Sequence, residues 1–135
     1  MKVCVLYFSR TGNTKRLAQA ISESLKVPLF DIATSEPSVT NEFDLVILGT
    51  PVMGFKPAIE TLAFIQRLPQ SEGKKAILFC TYAFAKGGTL KAMDKELSSK
   101  GYLTILSISK RGVKPNKADF ADILEKIAET VKGTS

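Results

Sequence analysis

The chain has 135 residues, 44% apolar and 24% charged, with a formal net charge of +6 from 19 basic against 13 acidic residues. Those proportions are ordinary for one globular domain over residues 1–135, and a domain of this size buries about two-thirds of its unfolded surface without a metal or disulfide staple. It contains no histidine, and no CxxC occurs. That removes imidazole acid–base chemistry, His-dependent triads and most zinc sites.

No apolar stretch approaches the roughly 18 residues of a membrane span. The first apolar run, Val3 to Phe8, follows Met1-Lys2 and leads straight into Ser9-Arg10, which is too short for the hydrophobic region of a signal peptide. A cytoplasmic protein without a membrane partner is expected. Cys4 and Cys80 both lie inside apolar runs, the habit of buried free thiols. The positive charges are spread along the chain, which favours solubility and acidic partners. No nucleic-acid recognition motif accompanies them, so no nucleic-acid partner is expected.

Taken in chain order, Val3–Phe8 reads as a first strand and Leu17, Ile21 and Leu25 as the stripe of a first helix. Val27–Ile32 reads as a second, shorter strand that Pro28 assigns to a sheet edge. The stretch Ala33–Phe43 is too short and polar for a full helix. Leu45–Gly49 is a third strand. Ile59, Leu62, Ile65 and Leu68 mark a helix entered at Pro57, a good first-turn residue. Ala76–Cys80 is a fourth strand. Leu90, Met93 and Leu97 mark a helix ending at Gly101. Leu103–Ile108 is a fifth strand, and Phe120, Ile123, Leu124, Ile127 and Val131 mark a last helix ending at Gly133. Unbroken apolar strands alternating with helices predict an α/β fold, a parallel sheet with helices on both faces.

Ligands of such sheets bind outside the carboxyl ends of the strands, at the switch point of strand order. The segments that follow strands one, three and four therefore carry the functional reading: Ser9–Thr14, Thr50–Pro57 and Thr81–Gly88. The first, Ser9-Arg10-Thr11-Gly12-Asn13-Thr14, offers three hydroxyls, an amide and a run of backbone N–H groups at the positive end of a helix. Gly12 permits a tight turn and close approach. Together these make a phosphate cradle. The plainer alternative, that Asn13 or Thr14 only caps the helix, leaves the density of donors without a purpose. Walker and GxGxxG patterns are absent, which disfavours nucleoside triphosphates and dinucleotides. Cys4 and Arg10 do satisfy C-x5-R, the spacing of cysteine phosphatases. The intervening Val-Leu-Tyr-Phe-Ser is strand-forming, however, and would bury Cys4 in the sheet.

The stretch Phe8-Ser9-Arg10-Thr11-Gly12-Asn13-Thr14 resembles the phosphate-loop signature [ST]-x-T-G-x-T of flavodoxins, and strand order, loop positions and length fit a short flavodoxin from end to end. The resemblance implies a flavodoxin-like three-layer sandwich with a five-stranded parallel sheet of order 2-1-3-4-5. It implies non-covalent FMN, with the phosphate held by Ser9, Thr11, Gly12, Asn13 and Thr14. Arg10, at a variable position of the motif, either helps neutralise the phosphate or points to water. The segment Thr50-Pro51-Val52-Met53-Gly54-Phe55-Lys56 would flank the isoalloxazine ring. With no Trp in the chain, Met53 or Phe55 supplies apolar cover there. In the family, a peptide flip at the position of Gly54 provides a carbonyl to the N5–H of the ring. Thr81-Tyr82-Ala83-Phe84 and Gly87-Gly88 would form the other ring-flanking loop, with Tyr82 and Phe84 as stacking candidates and Thr89 as a helix cap.

The resemblance implies an electron carrier, a role that needs no acid, base or nucleophile from the protein. Flavodoxins are usually acidic, whereas this chain is basic and places Lys56 and Lys86 in the ring loops. An acidic redox partner, ferredoxin-like, or a reductase is therefore expected. Two alternatives stay open at this point: a flavodoxin-like oxidoreductase acting on a quinone or porphyrin precursor, and a non-redox phosphate- or protein-binding module.

Overall fold

The computed structural model of the chain describes residues 1–112 and 120–134. Five parallel strands, β1 (Val3–Tyr7), β2 (Leu29–Asp31), β3 (Leu45–Met53), β5 (Lys74–Tyr82) and β6 (Tyr102–Arg111), lie in the order β2-β1-β3-β5-β6. Counted among the parallel strands alone, that is the 2-1-3-4-5 order. A two-residue strand, β4 (Lys56–Pro57), pairs antiparallel with the end of β3. The helices are α1 (Asn13–Leu25), α2 (Ile59–Gln66), α3 (Thr89–Ser99) and α4 (Ala121–Thr134).

Alternation along the strands divides the core into two layers. Val3, Val5, Tyr7, Leu45, Ile47, Ile77 and Phe79 point to α1 and α4, where they meet Leu17, Ile21, Phe120, Ile123 and Ile127. Cys4, Leu6, Val46, Leu48, Ala76 and Leu78 point the other way, to Phe64, Ile65, Met93 and Leu97 of α2 and α3. Both faces of the three central strands are covered, which accounts for their unbroken apolar sequence. Cys4 and Cys80 are free and fully buried, as their setting predicts. The segment between β2 and β3 forms two short 3-10 turns, Ile32–Thr34 and Pro37–Glu42, and no α-helix.

Four local expectations need correction. The third strand does not stop at Gly49: Thr50 to Met53 continue it, because Thr50 and Pro51 keep their parallel partners Cys80 and Thr81 on β5. By the same pairing, Thr81 and Tyr82 are the last residues of β5 and not loop. Pro57 does not open α2. It closes a hairpin opposite Val52, and the helix begins two residues later with Ile59 exposed, its buried side formed by Thr61, Phe64 and Ile65. Gly133 lies inside α4 rather than ending it.

Candidate functional site

The carboxyl ends of β1, β3 and β5 deliver three segments to one edge of the sheet. After β1 the chain turns through Phe8–Gly12 into α1. The Ser9 hydroxyl oxygen accepts hydrogen bonds from the backbone N–H of Gly12 at 3.1 Å and of Lys15 at 3.3 Å. Ser9 thereby folds the loop back over the start of the helix. Gly12 is the N-cap, and its side is not closed by any side-chain cap. The first amides of a helix have no intrahelical acceptor, and those of Asn13 and Thr14 find none elsewhere among the described residues. They are free donors at the positive end of α1.

The side chains of this loop are distributed unevenly. Thr11 is exposed, and Thr11 and Asn13 line an open cleft together with Arg10. The Asn13 side-chain oxygen also accepts a hydrogen bond from Arg16. Thr14 is buried, and its hydroxyl lies 2.7 Å from that of Thr81 on β5. Arg10 neither stands free in water nor turns to the loop amides. Its guanidinium is paired with both carboxylate oxygens of Glu60, at 2.8 and 3.1 Å, and sits 5.7 Å from the ring centre of Phe8. Glu60 is in the first turn of α2, fifty residues away, and sequence spacing gives no signal of such a pair.

The second segment is a β-hairpin. Met53 pairs with Lys56 and Val52 with Pro57, so Gly54 and Phe55 alone form the turn. Both have positive φ, 59° and 67°, as the two central residues of a type I′ turn require. Gly54 adopts this conformation freely; Phe55, a bulky residue, is held there by its surroundings. Thr50 at the base of the hairpin is fully buried. Its hydroxyl lies 2.9 Å from that of Thr61, accepts the N–H of Ala58 at 3.2 Å and reaches the carbonyl of Pro51 at 3.1 Å. Thr50 thus joins β3 to the entrance of α2. Lys56 is exposed beside the turn.

The third segment leaves β5 at Tyr82. Tyr82 is half-buried, and its carbonyl accepts the N–H of Gly112 at 3.1 Å. The carbonyl of Ala83 accepts from Arg111 Nε at 3.0 Å. These two bonds fasten the loop to the end of β6. Gly87 has φ 55°, and a Cβ there would stand 2.6 Å from both Cβ and the carbonyl oxygen of Phe55. The two loops therefore meet backbone to backbone at Gly87 and Phe55. Gly88 caps α3, and Thr89, its first residue, is fully buried with a hydroxyl that makes no cap bond. Lys86 is exposed.

Between these segments run two adjoining clefts that share Val52 and Ala83. One is lined by Arg10, Thr11, Asn13, Pro51, Met53, Thr81 and Tyr82, the other by Gly54, Phe55, Phe84 and Ala85. The first has hydroxyl and amide donors at one end; the second is apolar and open. Phe84 is 88% and Phe55 58% exposed, beside the exposed Met53. Burial pushes the Cys4 thiol up to about 12 and the Cys80 thiol up to about 11, the latter held back slightly by Lys86. Neither is a nucleophile at neutral pH. Among the described residues no cluster of acidic or thiol side chains could hold a metal ion.

A family model described as Flavodoxin domain matches residues 4–96, covering all three loops. The chain is a member of the flavodoxin family. A flavodoxin of Megasphaera elsdenii is 28% identical over 109 residues, 75% of this chain and 80% of the relative. One of Clostridium beijerinckii is 26% identical over 114 residues, 75% and 79% of the two chains. The crystal structure of oxidised Flavodoxin 1 from Bacillus cereus covers 98% of both chains with a TM-score of 0.82 at 24% identity, which speaks to the fold. Flavodoxins bind FMN and transfer electrons. The donor set of this flavodoxin suits that cofactor: free amides and hydroxyls at one end for a terminal phosphate, open apolar walls at the other for a planar ring. No described helix is long and apolar enough to cross a membrane.

Proposed function

We propose that this flavodoxin carries electrons between protein partners, with FMN seated across its two clefts, and that it docks on an acidic partner. The observation that carries the reading is the convergence of a donor-rich cradle and an exposed apolar rim on one sheet edge. Bound FMN supplies the redox chemistry, accepting and releasing electrons at its ring. In this reading the residues of the chain bind and orient it. The free amides of Asn13 and Thr14, with the Ser9 and Thr11 hydroxyls, hold the phosphate, and Gly12 lets it approach the backbone closely. Pro51, Val52, Met53, Gly54 and Phe55 cover one side of the ring, and Tyr82, Ala83 and Phe84 the other, with Gly87 and Gly88 allowing the loops to meet. Thr50 supports the hairpin from beneath.

The basic partner-facing rim is what points to an acidic partner. Lys56 and Lys86 flank the apolar residues Met53, Phe55 and Phe84, all of them exposed. Complementary charge speeds encounter, and salt slows it. A protein acceptor of ferredoxin type or a reductase suits this surface. The same cofactor could pass electrons to a small acceptor without an acid, base or nucleophile from the protein, and the exposed basic rim is what favours a protein partner.

The deciding experiment is a titration of flavin-stripped protein with FMN, read by flavin fluorescence. Saturable one-to-one quenching supports the reading, and its absence in a folded protein refutes it. Steady oxidation of NAD(P)H with a small acceptor and no partner protein would instead establish an enzyme.

A further inference from the structure

The buried hydroxyl pair Thr14–Thr81 joins two parts of the site. Thr14 is the second residue of α1, between the free amides and the first full turn. Thr81 is the penultimate residue of β5 and lines the cleft with Arg10, Thr11 and Asn13. The two oxygens are 2.7 Å apart, and the residues are 1% and 5% exposed. Among the described residues neither hydroxyl has another hydrogen-bond partner.

Two hydroxyls bring two protons, and a hydrogen bond between them uses one. The second proton has no acceptor among the described residues. A buried donor without an acceptor is unfavourable, so it calls for one. A phosphate, which in its dianionic form only accepts, would provide it beside the free amides of Asn13 and Thr14. We infer that Thr81 is part of the phosphate-recognition set and acts with Thr14 as one donor unit. The pair contributes a single proton to the phosphate, and each hydroxyl fixes the direction of the other. The inference rests on the FMN reading above and adds to it a residue from the strand that feeds the ring loop.

The test compares FMN with riboflavin, which lacks the phosphate, on the full chain. Thr81→Val keeps shape and removes the hydroxyl. It should weaken FMN at least about tenfold, as loss of a hydrogen bond to a charged group does, and leave riboflavin affinity unchanged. Thr81→Ser should recover most of the loss. Thr14→Val combined with Thr81→Val should weaken FMN no more than the worse single change, because the two form one unit. Equal losses for FMN and riboflavin, or losses that simply multiply in the double variant, overturn the inference. If Thr81→Val does not fold, Thr81→Ala serves the same comparison. If the unaltered protein binds neither flavin, the proposed function fails separately, and inorganic phosphate decides this inference. A phosphate-dependent rise in melting temperature that Thr81→Val abolishes sustains it; the same rise in both proteins, or none in either, overturns it.

Discussion

One nitrogen of the Arg10 guanidinium bridges both oxygens of Glu60, at 2.8 and 3.1 Å, and so ties the loop after β1 to the first turn of α2. Both side chains are substantially exposed, 48% and 39%, so the pair contributes little to stability, about 0–1 kcal/mol. Its consequence lies in charge. Arg10 lines the cleft, and Glu60 neutralises its charge there. Glu60→Gln removes the competing carboxylate and leaves Arg10 free to face the phosphate. FMN affinity at low salt should rise about two- to fivefold, the range expected of a screened pair, with riboflavin affinity unchanged. Thermal unfolding of the variant should match the parent closely. If FMN affinity does not move, Arg10 has no share in phosphate binding.

The contact between Gly87 and Phe55 predicts how the ring loops respond to one methyl group. Gly87→Ala places a Cβ 2.6 Å from Phe55 Cβ and backbone oxygen, at a φ of 55° that alanine adopts with strain. The hairpin tip and the loop after β5 must then separate. Because the phosphate cradle lies on a different segment, the damage should fall on the ring end. Riboflavin and FMN affinities should drop by similar factors, on the order of tenfold for a strain of about 1–2 kcal/mol. Calorimetric titration with both flavins checks this. A loss confined to FMN would mean that the contact does not shape the ring end of the site.

The contrast between these two relationships shows what the chain makes legible. Strand order and layers follow from local patterns: apolar runs such as Leu45–Leu48 and Ala76–Phe79, each followed by a helical stripe, leave few arrangements for a parallel sheet. The donor-rich loop after β1 is legible because its donors are contiguous, from Ser9 to Thr14. Three features are not. The Arg10–Glu60 pair spans fifty residues and the Thr14–Thr81 pair sixty-seven, and periodicity carries no signal at such separations. The hairpin after β3 hides behind Phe55, since type I′ turns announce themselves through Asn-Gly or Asp-Gly and not through Gly-Phe. The exposure of Ile59 follows from the same hairpin, which moves the helix start past Pro57 and rotates its apolar side onto Phe64 and Ile65.

Lys56 and Lys86 set the electrostatics of the apolar rim. A cation near the cofactor favours the more negative, reduced flavin, so the potential of bound FMN should lie above that of acidic relatives. Lys56→Glu with Lys86→Glu should lower it. Both side chains are exposed, and salt screens such effects over about 10 Å at 0.1 M, so the drop should shrink as ionic strength rises. Spectroelectrochemical titration at low and high salt gives both readings. The same double variant should slow association with an acidic partner. An unchanged or raised potential would place the lysines too far from the ring to matter.

The two buried thiols predict an alkaline limit. Burial raises Cys4 from an ordinary value of 9.0 to about 12 and Cys80 to about 11. A raised thiol pKa means that the folded protein keeps protons which the unfolded chain releases. Below pH 9 both states hold them, and stability is indifferent to these groups. Between about pH 9 and 11 the unfolded chain ionises first and gains the advantage, so stability falls with rising pH. Denaturant unfolding from pH 8 to 10.5 should show that decline, and Cys4→Ala with Cys80→Ala should flatten part of it, although the cavities lower stability at every pH. In the native protein at pH 8 neither thiol should react with a disulfide reagent, while both should react in denaturant. Rapid labelling of the native protein at pH 8, or an alkaline decline that the double variant leaves untouched, would contradict the assignment of both cysteines to the core.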